Sequence, residues 1–389
     1  MPADPKLASI REQLPSVREY AYLNTGTYGP LTRAAAEAMR AWQEDELAFG
    51  RIAPGRGPPA TAVKEAARAS LARLIGAEPG SVALTGSTTD GMNIAVFGQR
   101  WRPGDEIVTT NVEHGGGLLP VRLAERRFGV VVREVDLTGE CGDVAPLFAP
   151  LLNERTKLVA LSNVSWSTGA LYEVEALIRL CHERGVPIAI DGAQSAGAVP
   201  VDVAALGVDY YAFPGQKWLL GPSGTGGLYV RPERLDGLEP PWIGTGAVST
   251  HQDLDHFRLW PDARRYEGAT TMNLAALAGL TASLRWLLDE VDLDWALERN
   301  AALARLARER LGAIGAEVVT PPVHAPLVCF RVPGRSPDDV VAELAEHGVV
   351  ARSVNDTGVV RFSTGFYVTE EEIERAVGLV EAAARRRAR

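Results

Sequence analysis

Short apolar runs alternate with longer amphipathic stretches along most of this chain. Val82-Ala-Leu-Thr, Ile107-Val-Thr-Thr, Val130–Val135, Leu158–Ser162 and Val186–Asp191 read as short buried strands, and helical patterns fill the intervals between them. That alternation predicts a parallel sheet and an α/β fold. Ahead of it, residues 1–20 read as a helix and lead-in, and Tyr22–Pro30 as a short strand and turn. Helices are expected from Thr32 to Phe49 and from Ala60 to Ile75, the second stopped by Gly76. Between them Gly50–Pro59, rich in Gly, Pro and Arg, reads as a mobile loop.

From Asn273 the pattern turns helical, with helices expected over Ala275–Leu288 and Leu293–Leu311. Strands at Leu327–Val332, Val349–Arg352 and Val359–Ser363 and helices at Pro337–Glu346 and Glu370–Arg386 then suggest a small α+β unit. The expected division is a large domain of residues 20–272 and a small one made of residues 1–19 and 273–389. The basic end, Arg385-Arg-Arg-Ala-Arg, reads as a frayed, solvated helix terminus that suits the helix dipole.

Composition narrows the function classes. Apolar residues make up 46% and charged residues 23%, as in a soluble globular protein, and no apolar run reaches membrane-spanning length. A net charge of −9 argues against nucleic acid as the main partner. The cysteines, Cys141, Cys181 and Cys329, are odd in number and widely spaced, which argues against a disulfide framework and fits a reducing cytoplasm. The six histidines show no metal-ligand spacing, so no metal is expected.

The chemistry concentrates between Asp209 and Tyr229. Lys217 stands there among aromatic and aliphatic residues, where burial should lower its pKa toward the nucleophilic range and suit Schiff-base chemistry. Gly221, Gly224, Gly226 and Gly227 suggest cleared space for something bulky. Asp191 falls at the carboxyl end of a strand, the edge of an open α/β sheet where ligands bind. Small hydroxyl residues in Gly86-Ser-Thr-Thr-Asp at a helix start serve equally as caps or as a phosphate site. Lys217 and Asp191 tip that balance to phosphate. Gly221-Pro-Ser-Gly-Thr-Gly-Gly lacks the Gly-Lys-Ser/Thr ending and precedes a strand, so it is no nucleotide loop.

Asp191-Gly-Ala-Gln-Ser, Asp209-Tyr-Tyr-Ala-Phe-Pro-Gly-Gln-Lys217 and Gly221-Pro-Ser-Gly-Thr-Gly-Gly together resemble the class V aminotransferase family. That family includes cysteine desulfurases, cystine C–S lyases and isopenicillin N epimerase-like proteins. The likeness runs from Tyr22-Leu-Asn-Thr-Gly to the C-terminal helix, and the Asp-Tyr-Tyr-Ala-Phe run and Trp166-Ser-Thr-Gly lean toward the cystine lyases. It implies the type I fold of pyridoxal 5'-phosphate enzymes, with Lys217 holding the cofactor aldehyde and Asp191 paired with the pyridine nitrogen. The resemblance further implies that Thr88, Thr89, Gln194 and Gln216 contact the cofactor and that His114 stacks on its ring. Thr271 would reach the phosphate of a neighbouring subunit in a homodimer with shared active sites. Asn24, Trp166, Arg352 and Arg361 would bind a small amino-acid substrate, Arg361 through its α-carboxylate.

Departures from the family pattern matter as well. Pro214-Gly-Gln-Lys stands where relatives have Ser-Gly-His-Lys, so a phosphate-binding serine is missing. Trp166 stands where relatives carry a carboxylate-binding asparagine, which makes the pocket more apolar. The segment between Arg352 and Arg361 has no cysteine, where desulfurases carry a mobile thiol. The expectation is a C–S lyase or aminotransferase acting at Cα of a small amino acid. The alternatives are an epimerase-like enzyme and a non-catalytic cofactor-binding regulator.

Overall fold

The computed structural model describes residues 4–51, 60–251, 255–268 and 271–385. Most of the loop expected at Gly50–Pro59, and all but the first residue of the basic end, lie outside the described residues.

A seven-stranded sheet forms the centre, in the order Val82–Thr85, Gly226–Val230, Tyr210–Pro214, Ile188–Asp191, Thr156–Ser162, Glu106–Thr110, Val131–Val135. Gly226–Val230 runs antiparallel to both neighbours, and the other pairings are parallel. Four of the inner strands, Glu106–Thr110, Ile188–Asp191, Tyr210–Pro214 and Gly226–Val230, are buried along their whole length, which is why they read as continuous apolar runs. Apolar clusters cover both faces. One gathers Leu71, Val108, Leu161, Ile190 and Phe213, and the other Met92, Ile107, Leu158, Ala189 and Leu228.

Helix ends carry their expected signals. Thr32 accepts from the Ala35 amide at 3.0 Å ahead of the helix Arg33–Phe49, and Gly76 takes a φ of +68° after Ala60–Leu74. The helix Leu274–Arg285 sends Leu277, Leu280 and Leu284 into the core of the large sheet. Beyond Arg285 the expected helix widens into a π turn over Trp286–Val291, which buries Trp286, Leu287 and Val291 in a third core. That core collects Ile10 to Leu23 together with residues from Trp286 to Val380.

The strand expected at Val349–Arg352 is two strands. Val349–Val350 pairs in parallel with Ala21–Tyr22, while Arg352–Val354 joins the four-stranded antiparallel sheet with Val359–Ser363, Leu327–Arg331 and Glu317–Val318. The chain changes partner at Ala351, and the apolar run conceals it. The glycines near Lys217 also differ from expectation. A Cβ on Gly226 would stand 2.5 Å from the Phe213 carbonyl oxygen, and one on Gly221 3.0 Å from that of Gly215. Gly221 and Gly226 thus clear space for neighbouring backbone, Gly227 for the Phe213 ring, and Gly224 takes a φ of +76° in open space.

Candidate active site

The carboxyl ends of Glu106–Thr110, Thr156–Ser162 and Ile188–Asp191 form one ledge, with Ser162 and Asp191 register partners. Asp191 is 5% exposed and accepts the Ala193 amide at 2.9 Å. Burial raises its pKa, against that hydrogen bond and the charge of Lys217. Lys217 follows the strand Tyr210–Pro214 in a turn closed by Leu220, a non-glycine residue with φ +54°. Burial pushes the Lys217 ammonium down to about 8; Asp191 opposes that shift, and Arg361 and Arg352 reinforce it. A lysine at that value supplies free amine near neutral pH.

Two helices start beside this pair. Ser87 caps Thr88–Phe97 by accepting the Asp90 amide at 3.1 Å, so the cap role falls to Ser87 and leaves the threonines available. Thr89 is exposed, and the buried Thr88 hydroxyl has no hydrogen-bond partner among the described residues. The second helix, Gly115–Phe128, is capped by His114, whose Nδ1 accepts the Gly116 amide at 3.0 Å. A Cβ on Gly117 would come within 3.0 Å of an Asp191 carboxylate oxygen, so this glycine lets the helix start against the acid. His114 has an open outer face, yet desolvation of its packed edge, then the charges of Lys217, Arg352 and Arg361, push it down to about 4. Its imidazole is neutral at ordinary pH.

Gln194 is clamped. Its Nε2 donates to the Gly26 carbonyl at 2.8 Å and its Oε1 accepts from Trp218 Nε1 at 3.0 Å. The Gln216 side-chain carbonyl oxygen is buried without a partner among the described residues. Thr271 is exposed and borders a different cavity, lined also by Gly86, Asp90, Trp242 and Gly268.

The small sheet supplies the other wall. Arg352 and Arg361 are register partners on adjacent antiparallel strands. Arg361 is 1% exposed, donates through Nη1 to the Trp166 carbonyl at 2.9 Å and through Nη2 to the Thr27 hydroxyl at 2.8 Å, and its Nε has no partner among the described residues. No acidic side chain pairs with it among the described residues, and burial pushes its pKa down to about 10. Arg352 donates to the same Thr27 hydroxyl at 3.0 Å and lies 6.0 Å over the Trp166 ring. Trp166 in turn meets His114 edge to face, with centroids 4.9 Å apart. Asn24 lies behind Thr27, accepting its hydroxyl proton at 2.7 Å.

Thr27, the shared acceptor of both arginines, and Glu113 escaped the sequence reading. Glu113 accepts from Ser162 Oγ at 2.6 Å, the Ser162 amide at 2.9 Å and Thr110 Oγ1 at 2.6 Å. Burial first, and the charge of Asp191 last, lift its pKa to about 7. Its place directly before His114 at a strand end was the signal available.

Among the described residues no group of three or more acidic, histidine or cysteine side chains could hold a metal, and no helix is long and apolar enough to cross a membrane.

Comparison with known proteins places this arrangement. The family model for class V aminotransferases matches residues 30–376. A probable cysteine desulfurase of Pyrococcus abyssi is 30% identical, covering 96% of both chains, and the cysteine desulfurase CsdA of Escherichia coli is 30% identical, covering 97% of both. The solved cystine C–S lyase C-DES, in complex with its reaction product cysteine persulfide, superimposes with a TM-score of 0.90 at 27% identity, covering 95% of this chain and 99% of its own. A second C-DES structure, a lysine-to-alanine mutant with glycine covalently linked to the pyridoxal phosphate cofactor, gives the same TM-score at 28% identity and covers 95% and 98%. The chain therefore belongs to the class V aminotransferase family, and its α/β fold and ledge of strand ends are those of a pyridoxal-phosphate-dependent enzyme.

Proposed function

We propose that this enzyme is a carbon–sulfur lyase that eliminates sulfur from Cβ of cystine-like amino acids. The observation that carries the reading is Arg361. A guanidinium 1% exposed, with an unpartnered Nε and no acidic neighbour among the described residues, is a cation built to wait for an anion. Arg352, its register partner, sets a second guanidinium beside it, and cystine carries two carboxylates.

The residues fit the cofactor. The unpartnered Thr88 hydroxyl and exposed Thr89 at a helix start suit a phosphate, which accepts from hydroxyls and from a helix N-terminus. Asp191 would hold the ring nitrogen, Gln194 the ring's oxygen substituent, and neutral His114 the ring face. When bound, pyridoxal phosphate supplies an aldehyde for the substrate amine and a sink for the electrons of a broken Cα bond. Asp191, whose charged form Lys217 favours, would pair with the ring nitrogen and favour a positive charge there. Arg361 takes the α-carboxylate, which fixes Cα. Lys217 Nζ, once its amine is free, would take the Cα proton and return it to the leaving sulfur. Trp166 and His114 wall the pocket and limit water.

Two further observations bear on the outcome. The Arg352–Arg361 hairpin closes through Asn355–Gly358 without a cysteine. The buried Cys329 and Cys181 are pushed up to about 12, so neither is a thiolate nucleophile. Release of a persulfide product, rather than its capture on the enzyme, fits that chemistry. Thr271, exposed beside Gly86 and Asp90, is assigned to the active site of a second copy in a homodimer.

The deciding experiment is a product screen of the loaded enzyme with cystine, cysteine and common amino acids. Pyruvate with persulfide from cystine is expected. Keto acids formed in step with an amino acceptor, without pyruvate from cystine, would replace elimination by transamination.

A further inference from the structure

The segment Asn24–Gly29 threads between the two halves of the site. Asn24 bridges to Ser363 of the small sheet, the Gly26 carbonyl accepts from Gln194, and the Gly29 amide donates to the Gln216 main-chain carbonyl at 2.8 Å. A Cβ on Gly26 would lie 2.8 Å from Ser363 Oγ and 2.9 Å from Gln194 Oε1, so the fit is close on both sides. In its middle stands Thr27.

One hydroxyl there makes three hydrogen bonds. Thr27 Oγ1 donates its proton to Asn24 Oδ1 at 2.7 Å, which leaves its lone pairs as acceptors. Both are used: Arg352 Nη1 donates at 3.0 Å and Arg361 Nη2 at 2.8 Å. The turn that holds Thr27 is closed by its own amide donating to the Asn24 carbonyl at 3.0 Å. A single atom therefore sets the separation of two like-charged groups that would otherwise repel. The two arginines are not equally dependent on it. Arg361 keeps a second anchor on the Trp166 carbonyl, whereas Arg352 has, among the described residues, only the Trp166 ring face beside it.

We infer that Thr27 is the positioning residue for substrate specificity, pinning Arg352 beside Arg361 so that the pocket selects amino acids with a second, distal carboxylate. The inference rests on the reading of Arg361 and Arg352 as carboxylate binders. Thr27 touches neither carboxylate; it fixes the spacing that two carboxylates must match. The Asn24 amide, one step further back, orients the hydroxyl.

The test compares Thr27→Val, which keeps the shape and removes the hydroxyl, with Thr27→Ser, which keeps the hydroxyl. The cofactor-loaded enzyme is titrated calorimetrically with cystine and with S-methylcysteine, which has one carboxylate, and KM and kcat are measured for both. Thr27→Val is expected to weaken cystine about tenfold more than S-methylcysteine, the scale of one hydrogen bond to a charged group. The loss should fall in KM rather than kcat, and Thr27→Ser should restore the wild-type ratio to within about twofold. Equal losses for the two ligands, no loss, or failure of Thr27→Ser to restore the ratio overturns the inference. If the wild type binds cystine no tighter than S-methylcysteine, the two-carboxylate reading of the site falls and this inference with it. If cystine binds tightly but is not cleaved, the proposed reaction fails, while the affinity ratio still decides the role of Thr27.

Discussion

Replacing Arg361 by methionine should remove substrate binding while leaving the fold about as stable as before. The reasoning starts from the burial cost. Holding the guanidinium at a pKa of about 10, below the ordinary arginine value, penalises its charged form in the folded state by about 3 kcal/mol. A cation whose folded value is lowered carries that penalty at every pH below the folded value, so it is fully present at pH 7. Methionine removes it. Against this, the Trp166 carbonyl loses its donor and Thr27 loses one of two, which costs about 1–3 kcal/mol. The two terms nearly cancel, and the net change should stay within about 2 kcal/mol in either direction. Taking about 2.1 cal/mol/K per residue over 389 residues, that is a Tm shift of no more than about 3 °C. An arginine in a buried ion pair behaves otherwise, since losing one partner costs about 3–5 kcal/mol. Substrate affinity, by contrast, should fall by about 2–5 kcal/mol, or some 30- to several thousand-fold in kcat/KM, for every amino acid alike. Thermal unfolding of the apo-protein, with kcat/KM for cystine and S-methylcysteine, decides the matter. A Tm loss beyond about 6 °C with unchanged KM would show that Arg361 serves the fold and not the substrate.

The remaining predictions address the base, the buried acid and the thiols. Lys217→Ala should abolish turnover and leave circular dichroism unchanged, and borohydride should fix cofactor to Lys217 alone in the wild type; labelling at another lysine sinks the assignment. Glu113, lifted to about 7, favours the fold when protonated, and that contribution is lost as pH rises from the ordinary carboxylate range through 7. Stability measured by urea unfolding should therefore fall over that interval in the wild type, and Glu113→Gln should flatten the slope; an unchanged slope refutes it. No persulfide should accumulate on Cys141, Cys181 or Cys329 during turnover, as mass spectrometry of the quenched enzyme would show.

Much of the fold was legible because the central strands are buried on both faces and read as unbroken apolar runs. Asp191 stood out as a candidate because a carboxylate at such a strand end has few structural uses, and Lys217 because it interrupts aromatic and aliphatic neighbours. Other features left no local trace. Ala351 changes sheet partner inside a run that looks continuous, since pairing is decided by Ala21–Tyr22, more than three hundred residues away. Thr27 looks like any turn threonine until Arg352 and Arg361, 325 and 334 positions on, arrive at its hydroxyl. Glu113 lacked meaning because its burial depends on Ser162 from another strand. Elements follow local pattern, whereas hydrogen-bond hubs follow long-range register.

On the proposed reading, the electrostatics of the site also orient the substrate. Asp191 is raised, and Lys217 and Arg361 are lowered, each first by burial. Every one of these shifts favours the neutral form, so each group lacks the counter-charge that would make its burial comfortable. Asp191 and Lys217 offset each other in part. At Arg361 only Cys329 works against burial, while the charge of Arg352 adds to the lowering. On that reading, a cofactor ring nitrogen at Asp191 and a substrate carboxylate at Arg361 would supply the missing charges, and Lys217 feels both Asp191 and Arg361. An amino acid entering in the reverse sense would set its ammonium against two guanidiniums. On the proposed reading, this charge order presents Cα to Lys217 Nζ before any contact specific to sulfur is made, and it explains why carboxylate recognition and proton transfer belong to one arrangement.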